Sequence, residues 1–195
     1  MGVKRVKIPT LPTEGKMPVT KLDVGIRQLE TAIRLWFFDG DPVSMCTLIH
    51  ASNDVIRGLF KHGKHGPPLL DEELYVRPER LDEYRAIVRL DPNFCKHGGK
   101  DPDEIHHITV KNYPIKIIET IVMHNKMGFG KRPLFELFSN WMWFSMPEFF
   151  HKKPSDFDPH IAANIEAVVR SGKQQYFNEF LPIFERQMMG LGKAH

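Results

Sequence analysis

The residues best suited to chemistry in this sequence lie in one short stretch that begins at Arg89. Within it, Asn93 and His97 are four residues apart and therefore share one face of a helix. Lys96 lies beside His97, so an amide, an ammonium and an imidazole group could bind a phosphate or move a proton. The same residues also suit a helix end, where Lys and His stabilise the negative dipole and Gly98-Gly99 close the helix.

A second group of candidates consists of histidines and a carboxylate that could bind a metal ion. His50 and Asp54 are four residues apart on a predicted helix. His106 and His107 are adjacent, so on a strand they would point to opposite faces and only one could bind a given metal. The sequence contains no H-E-x-x-H motif. A metal site therefore stays an alternative, with His50, Asp54, His106, His107 and His124 as its ligands, and no cofactor is predicted.

The two cysteines, Cys46 and Cys95, provide neither a disulfide framework nor a C-x-x-C zinc motif. This usage is typical of a reducing compartment. The N-terminal residues lack the apolar core of a signal peptide, and the apolar runs are too short to cross a membrane. We therefore predict a cytoplasmic protein with no membrane partner.

Size and charge exclude several classes of protein. A chain of 195 residues fits one domain and can bury enough surface to fold without a metal or a disulfide. The charged fraction of 26% and the many large apolar residues exclude wholesale disorder. The net charge of +3 is too small to require a nucleic-acid partner.

Apolar residues recur at helical spacing along most of the chain, which predicts an all-α protein. Thr20 and Asp23 resemble a capping box that starts the first helix. Asp41-Pro42 is typical of an N-cap with a first-turn proline, and the second helix should end at Gly63. Almost no loop separates these two helices, so we expect an antiparallel hairpin. Pro92 should break or kink the third helix, because it has no amide hydrogen to donate.

The later part of the chain contains an aromatic helix that Pro133 opens. It is apolar nearly all round, so it lies either in the core or in an interface, and we predict a homodimer through it. Only 105–110 has strand character, and it has no partner strand nearby. We predict a single helical bundle of about five to seven helices. Its parts are an extended N-terminal arm over 1–19, the bundle over 20–153, and a C-terminal helical extension over 154–195.

The helical hairpin around Gly40-Asp41-Pro42, taken with Asn93-Phe94-Cys95-Lys96-His97-Gly98, resembles a bacterial all-α family. That family is remotely similar to the HEPN (higher eukaryote and prokaryote nucleotide-binding) superfamily. Members of that superfamily are small helical bundles, and many of them dimerise and cleave RNA without a metal ion. Their signature is an Arg, often followed by Asn, with a His a few residues further on. Here Asn93 and His97 match, Pro92 occupies the Arg position, and Arg89 is the nearest upstream arginine.

The resemblance implies a role for each residue of this segment. His97 would be the acid–base residue, Asn93 would orient it, and Arg89 or Lys96 would hold a phosphate of RNA or of a nucleotide. Lys96 would act as a point charge, because an ammonium group cannot bind phosphate in the bidentate manner of Arg. The function expected is RNA or nucleotide binding with weak metal-independent ribonuclease activity. A metal- or small-ligand-binding helical enzyme and a non-catalytic dimeric interaction module are the alternatives.

Overall fold

The computed structural model of this chain describes residues 16–67, 78–96, 103–146 and 159–191. These residues form helices and connecting segments without a strand, so the prediction of an all-α fold is confirmed. The stretch at 105–110 has no strand partner and ends in a 3₁₀ turn. Residues 1–15 of the predicted arm lie outside the described ranges. The helices are α1 (Lys21–Phe37), α2 (Pro42–His62), α3 (Leu81–Lys96), α4 (Tyr113–Lys126), α5 (Pro133–Ser145), α6 (Pro159–Arg170) and α7 (Lys173–Leu191).

The first two helices begin at the caps that the sequence predicts. The Asp23 amide donates to Thr20 Oγ1 at 3.0 Å, and the Thr20 amide donates to Asp23 Oδ2 at 2.9 Å, which completes a capping box. At the start of α2, the Ser44 amide donates to Asp41 Oδ2 at 2.7 Å, and Pro42 occupies the first turn. These bonds satisfy amide groups that a helix leaves without a partner at its N-terminus.

Helices α1 and α2 form the predicted antiparallel hairpin and approach each other closely at Gly25. The Ser52 hydroxyl donates to the Gly25 carbonyl at 2.8 Å. A Cβ atom built on Gly25 would lie 3.0 Å from Ile56 Cδ1, so only a residue without a side chain fits without a shift of Ile56. Small residues on both helices therefore set the spacing of the hairpin.

Helix α4 packs along the opposite side of α2 and runs parallel to it. Near both N-termini, the Tyr113 hydroxyl donates to the Pro42 carbonyl at 3.2 Å. Near both C-termini, Phe60 packs with Met123 and Met127 in a small apolar cluster. A parallel pair needs a long crossover connection, and α3 lies within that connection and packs on α2.

Pro92 was expected to break or kink this helix, and the break is wrong, because α3 continues through this residue to Lys96. Pro92 is buried, and the residues on either side of it are held by contacts with other parts of the chain. Asp91 Oδ2 accepts a hydrogen bond from the Thr109 amide at 3.0 Å, and Cys95 packs against the main core. Tertiary contacts therefore hold α3 together where the missing proline amide weakens it.

The main core lies where α5 packs against α1, α7 and α6. Its centre is the Phe37 ring, whose centroid is 6.0 Å from both Phe138 and Trp141 and 6.3 Å from Tyr176. Helix α7 thus contributes to the same core, although it lies in the predicted C-terminal extension. Gly172, with a φ of 106°, separates α6 from α7. Trp143 of α5 is half-buried, and the other apolar residues of this helix after Pro133 are buried: Leu134, Phe135, Leu137, Phe138, Trp141, Met142 and Phe144.

Candidate functional site

The predicted constellation lies at the end of α3, and part of it can be placed. Asn93 is exposed, and no described residue hydrogen-bonds to its side chain. His97 lies outside the described residues, and of Arg89 only the backbone, within α3, is described. Lys96 occupies the last turn of α3 and points toward α2. Of the four predicted residues, Lys96 is therefore the one with a defined contact.

Lys96 meets α2 at Asp54 through a weak ion pair. The distance from Lys96 Nζ to Asp54 Oδ2 is 3.8 Å, and the Asp54 side chain is 72% exposed. An exposed pair at this separation contributes at most about 1 kcal/mol. The Lys96 ammonium group can therefore exchange Asp54 for another anion at little cost.

His50 lies one helical turn before Asp54 and is half-buried. Burial lowers the pKa of its imidazole, and the charge of Lys116 on α4 lowers it further. Asp54 raises this pKa by less than Lys116 lowers it, and Lys96 on α3 lowers it by a still smaller amount. Because the ordinary pKa of His is already below 7, His50 is neutral at pH 7 and has one ring nitrogen that can accept a proton. We call the surface formed by His50, Asp54, Lys96 and Lys116 the junction face.

A network of buried polar side chains, which we call the polar seam, joins α2 to α4 beneath this surface. It consists of Asn53, Arg57, Lys116, Glu119 and Thr120. Glu119 is fully buried and accepts from Arg57 Nη2 at 2.5 Å, from Lys116 Nζ at 3.0 Å and from Asn53 Nδ2 at 3.3 Å. Asn53 also donates to the Thr120 hydroxyl at 2.8 Å. Both oxygens of the buried carboxylate are therefore paired with donors.

The polar seam fixes where Lys116 lies, and so it helps to shape the junction face. Glu119 holds the Lys116 ammonium group in the first turns of α4, from where its charge lowers the pKa of His50. The sequence analysis did not identify this network, although Asn53 gives a signal for it. Asn53 follows Ile49 by four residues and precedes Ile56 by three, so an amide interrupts the apolar face of α2. A polar residue at such a position needs a partner on the facing helix.

The five predicted metal ligands do not come together. His106 Nε2 lies 2.6 Å from Asp91 Oδ1, whereas His107 is exposed. His124 is fully buried, with its ring centroid 5.0 Å from that of Phe135. Within the described ranges, no three His, Cys, Asp or Glu residues form a group that could hold a metal ion. The geometry therefore gives no support to the metal-binding alternative.

The two cysteines lie on α2 and α3, which pack against each other. Cys46 is fully buried in the main core, and Cys95 is half-buried and packs against that core. Burial raises the pKa of Cys46 to about 12. Cys46 is therefore a protonated thiol at neutral pH and is unsuited to act as a nucleophile by itself.

Comparisons with known proteins add no relative to this picture. No protein-family model matches the chain, and neither a curated protein nor a solved structure matches it. None of the helices in the described part of the chain is long and apolar enough to cross a membrane. The similarity to the HEPN superfamily therefore remains a prediction. A function for this chain has to be inferred from the geometry of the junction face.

Proposed function

We propose that this chain binds the phosphate groups of RNA on the junction face. The observation that carries this proposal is that the Lys96 ammonium group of α3 lies 3.8 Å from Asp54, one helical turn after His50 on α2. Lys96 and Lys116 are both close enough for their charges to lower the pKa of His50, and ammonium groups of this kind suit phosphate oxygens. The same turn of α3 carries Asn93 and leads to His97, the residues that resemble the signature of RNA-cleaving HEPN proteins.

The two lysines have different roles in this proposal. Lys116 is held by the fully buried Glu119 and contributes a fixed positive charge. Lys96 has only the exposed Asp54 as a partner, so it can turn to a phosphate when RNA arrives. The Asp54 carboxylate repels an anionic ligand that does not displace it from Lys96. This repulsion favours ligands that contact both lysines at once.

The proposed chemistry, beyond binding, is slow metal-independent cleavage of RNA. A base removes the proton of the 2′-hydroxyl, O2′ attacks the phosphorus, and the 5′-oxygen leaves with a proton from an acid. His97 and Asn93 are assigned acid–base and orienting roles by resemblance. His50 is a further candidate for the base, because its surroundings keep it neutral and able to accept a proton.

Binding of a fluorescently labelled single-stranded RNA, followed by anisotropy at several salt concentrations, tests the proposal. Lys96→Gln should weaken binding roughly tenfold and flatten the dependence on salt, because one phosphate contact is lost. Lys126→Gln is the matched control, since Lys126 is an exposed lysine in the last turn of α4, away from the junction face. Equal affinities for the wild type and both variants would disprove the junction face as the RNA site.

Cleavage is tested separately with the same RNA in the presence of a chelator. His97→Ala and His50→Ala should each abolish cleavage while leaving the melting temperature near that of the wild type. Activity that disappears with the chelator would instead favour the metal-dependent alternative. A protein that neither binds nor cleaves RNA would leave the interaction module as the remaining hypothesis.

The proposed setting is a homodimer in the cytoplasm, and each part has its own support. Two free cysteines fit a reducing compartment. Dimerisation is implied by the resemblance and by the apolar character of α5, of whose aromatic side chains Trp143 is half-buried and the others are buried within the chain. Light scattering at several protein concentrations measures the mass of the particle and decides between monomer and dimer.

A further inference from the structure

Phe94 on α3 presents part of its aromatic ring to solvent, two residues before Lys96 of the junction face. The residue is 41% exposed. The imidazole ring of His106 packs against it, with ring centroids 5.1 Å apart and an angle of 33° between the planes. We call Phe94 and His106 the aromatic platform. The Phe94 ring thus has a partner that limits its movement, and it still has surface left for a ligand.

Two hydrogen bonds fix the segment that carries His106. His106 Nε2 lies 2.6 Å from Asp91 Oδ1, and the ring nitrogen is the donor because a carboxylate only accepts. The Thr109 amide donates to Asp91 Oδ2 at 3.0 Å. Asp91 lies on α3 one turn before Phe94, so the helix that carries the phenyl ring also holds the imidazole ring against it. The aromatic platform is therefore formed before a ligand binds, which reduces the entropy that binding costs.

The exposed face of α3 places this ring beside an amide and an ammonium group. At about 100° per residue, Asn93 lies between Phe94 and Lys96 around the helix axis. All three are exposed, whereas Pro92 is buried and Cys95 packs against the core. A nucleotide of RNA has a base that stacks, a polar base edge that an amide can hydrogen-bond, and a phosphate that an ammonium group attracts. The order of the three side chains matches these three groups.

We propose that the aromatic platform binds an unpaired base of an RNA strand whose phosphate is held by Lys96. This inference rests on the proposed function and adds a substrate class to it, namely RNA with unpaired bases. A base inside a duplex is stacked on its neighbours and cannot reach Phe94, whereas a base in a single strand can. Every base has a π-face, so the platform should accept all four bases. The ammonium and amide groups beside the ring favour a nucleic-acid strand over a second apolar surface.

Anisotropy titrations of three labelled RNAs test this proposal: a single strand, the same strand in a blunt duplex, and the same strand with abasic sites. The single strand should bind best, and the abasic strand, which keeps its phosphates, should bind roughly tenfold more weakly. Phe94→Leu should weaken binding of the single strand by a similar factor and leave binding of the abasic strand unchanged, because Leu has no π-face. Phe129→Leu is the matched control, since Phe129 is 54% exposed in the segment between α4 and α5.

The outcomes distinguish this inference from the proposed function. If Lys96→Gln weakens RNA binding but the abasic strand and Phe94→Leu behave like the single strand and the wild type, the RNA site stands and the aromatic platform is overturned. No binding of any of the three RNAs overturns both. A dimer that Phe94→Leu converts to a monomer in light scattering would show that a second copy covers the ring, which also overturns the platform. The abasic strand is tested on the wild type, so it remains decisive if Phe94→Leu fails to fold.

Discussion

Two sides of this bundle are held together in opposite ways. The aromatic core joins α1, α5 and α7 through the rings of Phe37, Phe138, Trp141 and Tyr176. The polar seam joins α2 and α4 through the fully buried carboxylate of Glu119 and its three donors. Burial of rings is non-directional, whereas a buried carboxylate is stable only if its donors are placed correctly.

The difference teaches where the molecule can tolerate change. Rings in the aromatic core can be exchanged for others of similar volume at a modest cost. In the polar seam, the loss of one partner leaves buried charges uncompensated, although replacing the whole network by apolar residues could be neutral. The seam shares Lys116 with the junction face, so the less tolerant region is the one that positions Lys116. Three measurements compare the two regions.

The largest effect is expected in the aromatic core. Phe37→Ala should lower the free energy of unfolding by about 4 kcal/mol, because it removes a fully buried ring and leaves a cavity. Denaturant unfolding measures this loss. The neighbouring Phe38→Ala is the matched control, since Phe38 is 45% exposed and should lose less than about half as much. Equal losses for both variants would contradict the placement of Phe37 at the centre of the core.

A somewhat smaller effect is expected in the polar seam. Glu119→Ala should lower the free energy of unfolding by about 3 kcal/mol, because Arg57 and Lys116 each lose a carboxylate partner while both remain mostly buried. Glu166→Ala is the control, since Glu166 forms an exposed pair with Arg170 and should change stability by less than about 0.5 kcal/mol. A loss for Glu119→Ala as small as that of the control would show that the seam contributes little.

The smallest effect concerns His124, which lies on α4 and contacts Phe135 of α5. Burial lowers the pKa of His124 below its ordinary value of 6.5, and its Nε2 atom has no hydrogen-bond partner among the described residues. The unfolded chain then binds a proton that the folded chain excludes, so stability is full above about pH 6.5 and falls below it. The loss reaches at most about 1.4 kcal/mol for each pH unit from this one group.

The contribution of His124 is isolated by comparing variants over the range from about pH 7.5 to pH 5.5, above the titration of most carboxylates. His124→Leu should reduce the slope of stability against pH. His107→Gln should keep the wild-type slope, because His107 is exposed. A slope unchanged by His124→Leu would assign the acid sensitivity to another group, with His50 next in line because burial also lowers its pKa.

The parts of the fold that depend on neighbouring residues were predictable from the sequence. The capping box of Thr20 and Asp23 and the Asp41 cap are local features, and both are found where they were predicted. The break at Pro92 was also a local inference, and it is wrong. Burial of Pro92 and the bonds of Asp91 to His106 and Thr109 outweigh the lost backbone hydrogen bond.

The candidate site was harder to predict, because its residues come from three helices. Lys96 was identified within its segment, but its neighbours His50 and Lys116 are distant in sequence. Glu119 could not be matched with Arg57 or Asn53, because periodicity shows which residues face inward but not which helix they face. To match these residues, one must know that α2 packs in parallel on α4. The sequence pattern does not show this, because the packing depends on the course of the whole chain between the two helices.

The participation of α7 in the aromatic core has a consequence for synthesis on the ribosome. Phe37 stacks on Tyr176 and lies 5.2 Å from Phe177, both of which are translated long after α1. At ordinary elongation rates, the ribosome needs on the order of ten seconds to add the residues between them. During that interval the aromatic face of α1 has no partner from α7. The nascent chain therefore exposes an apolar surface on α1 that a chaperone can recognise before the last helix emerges.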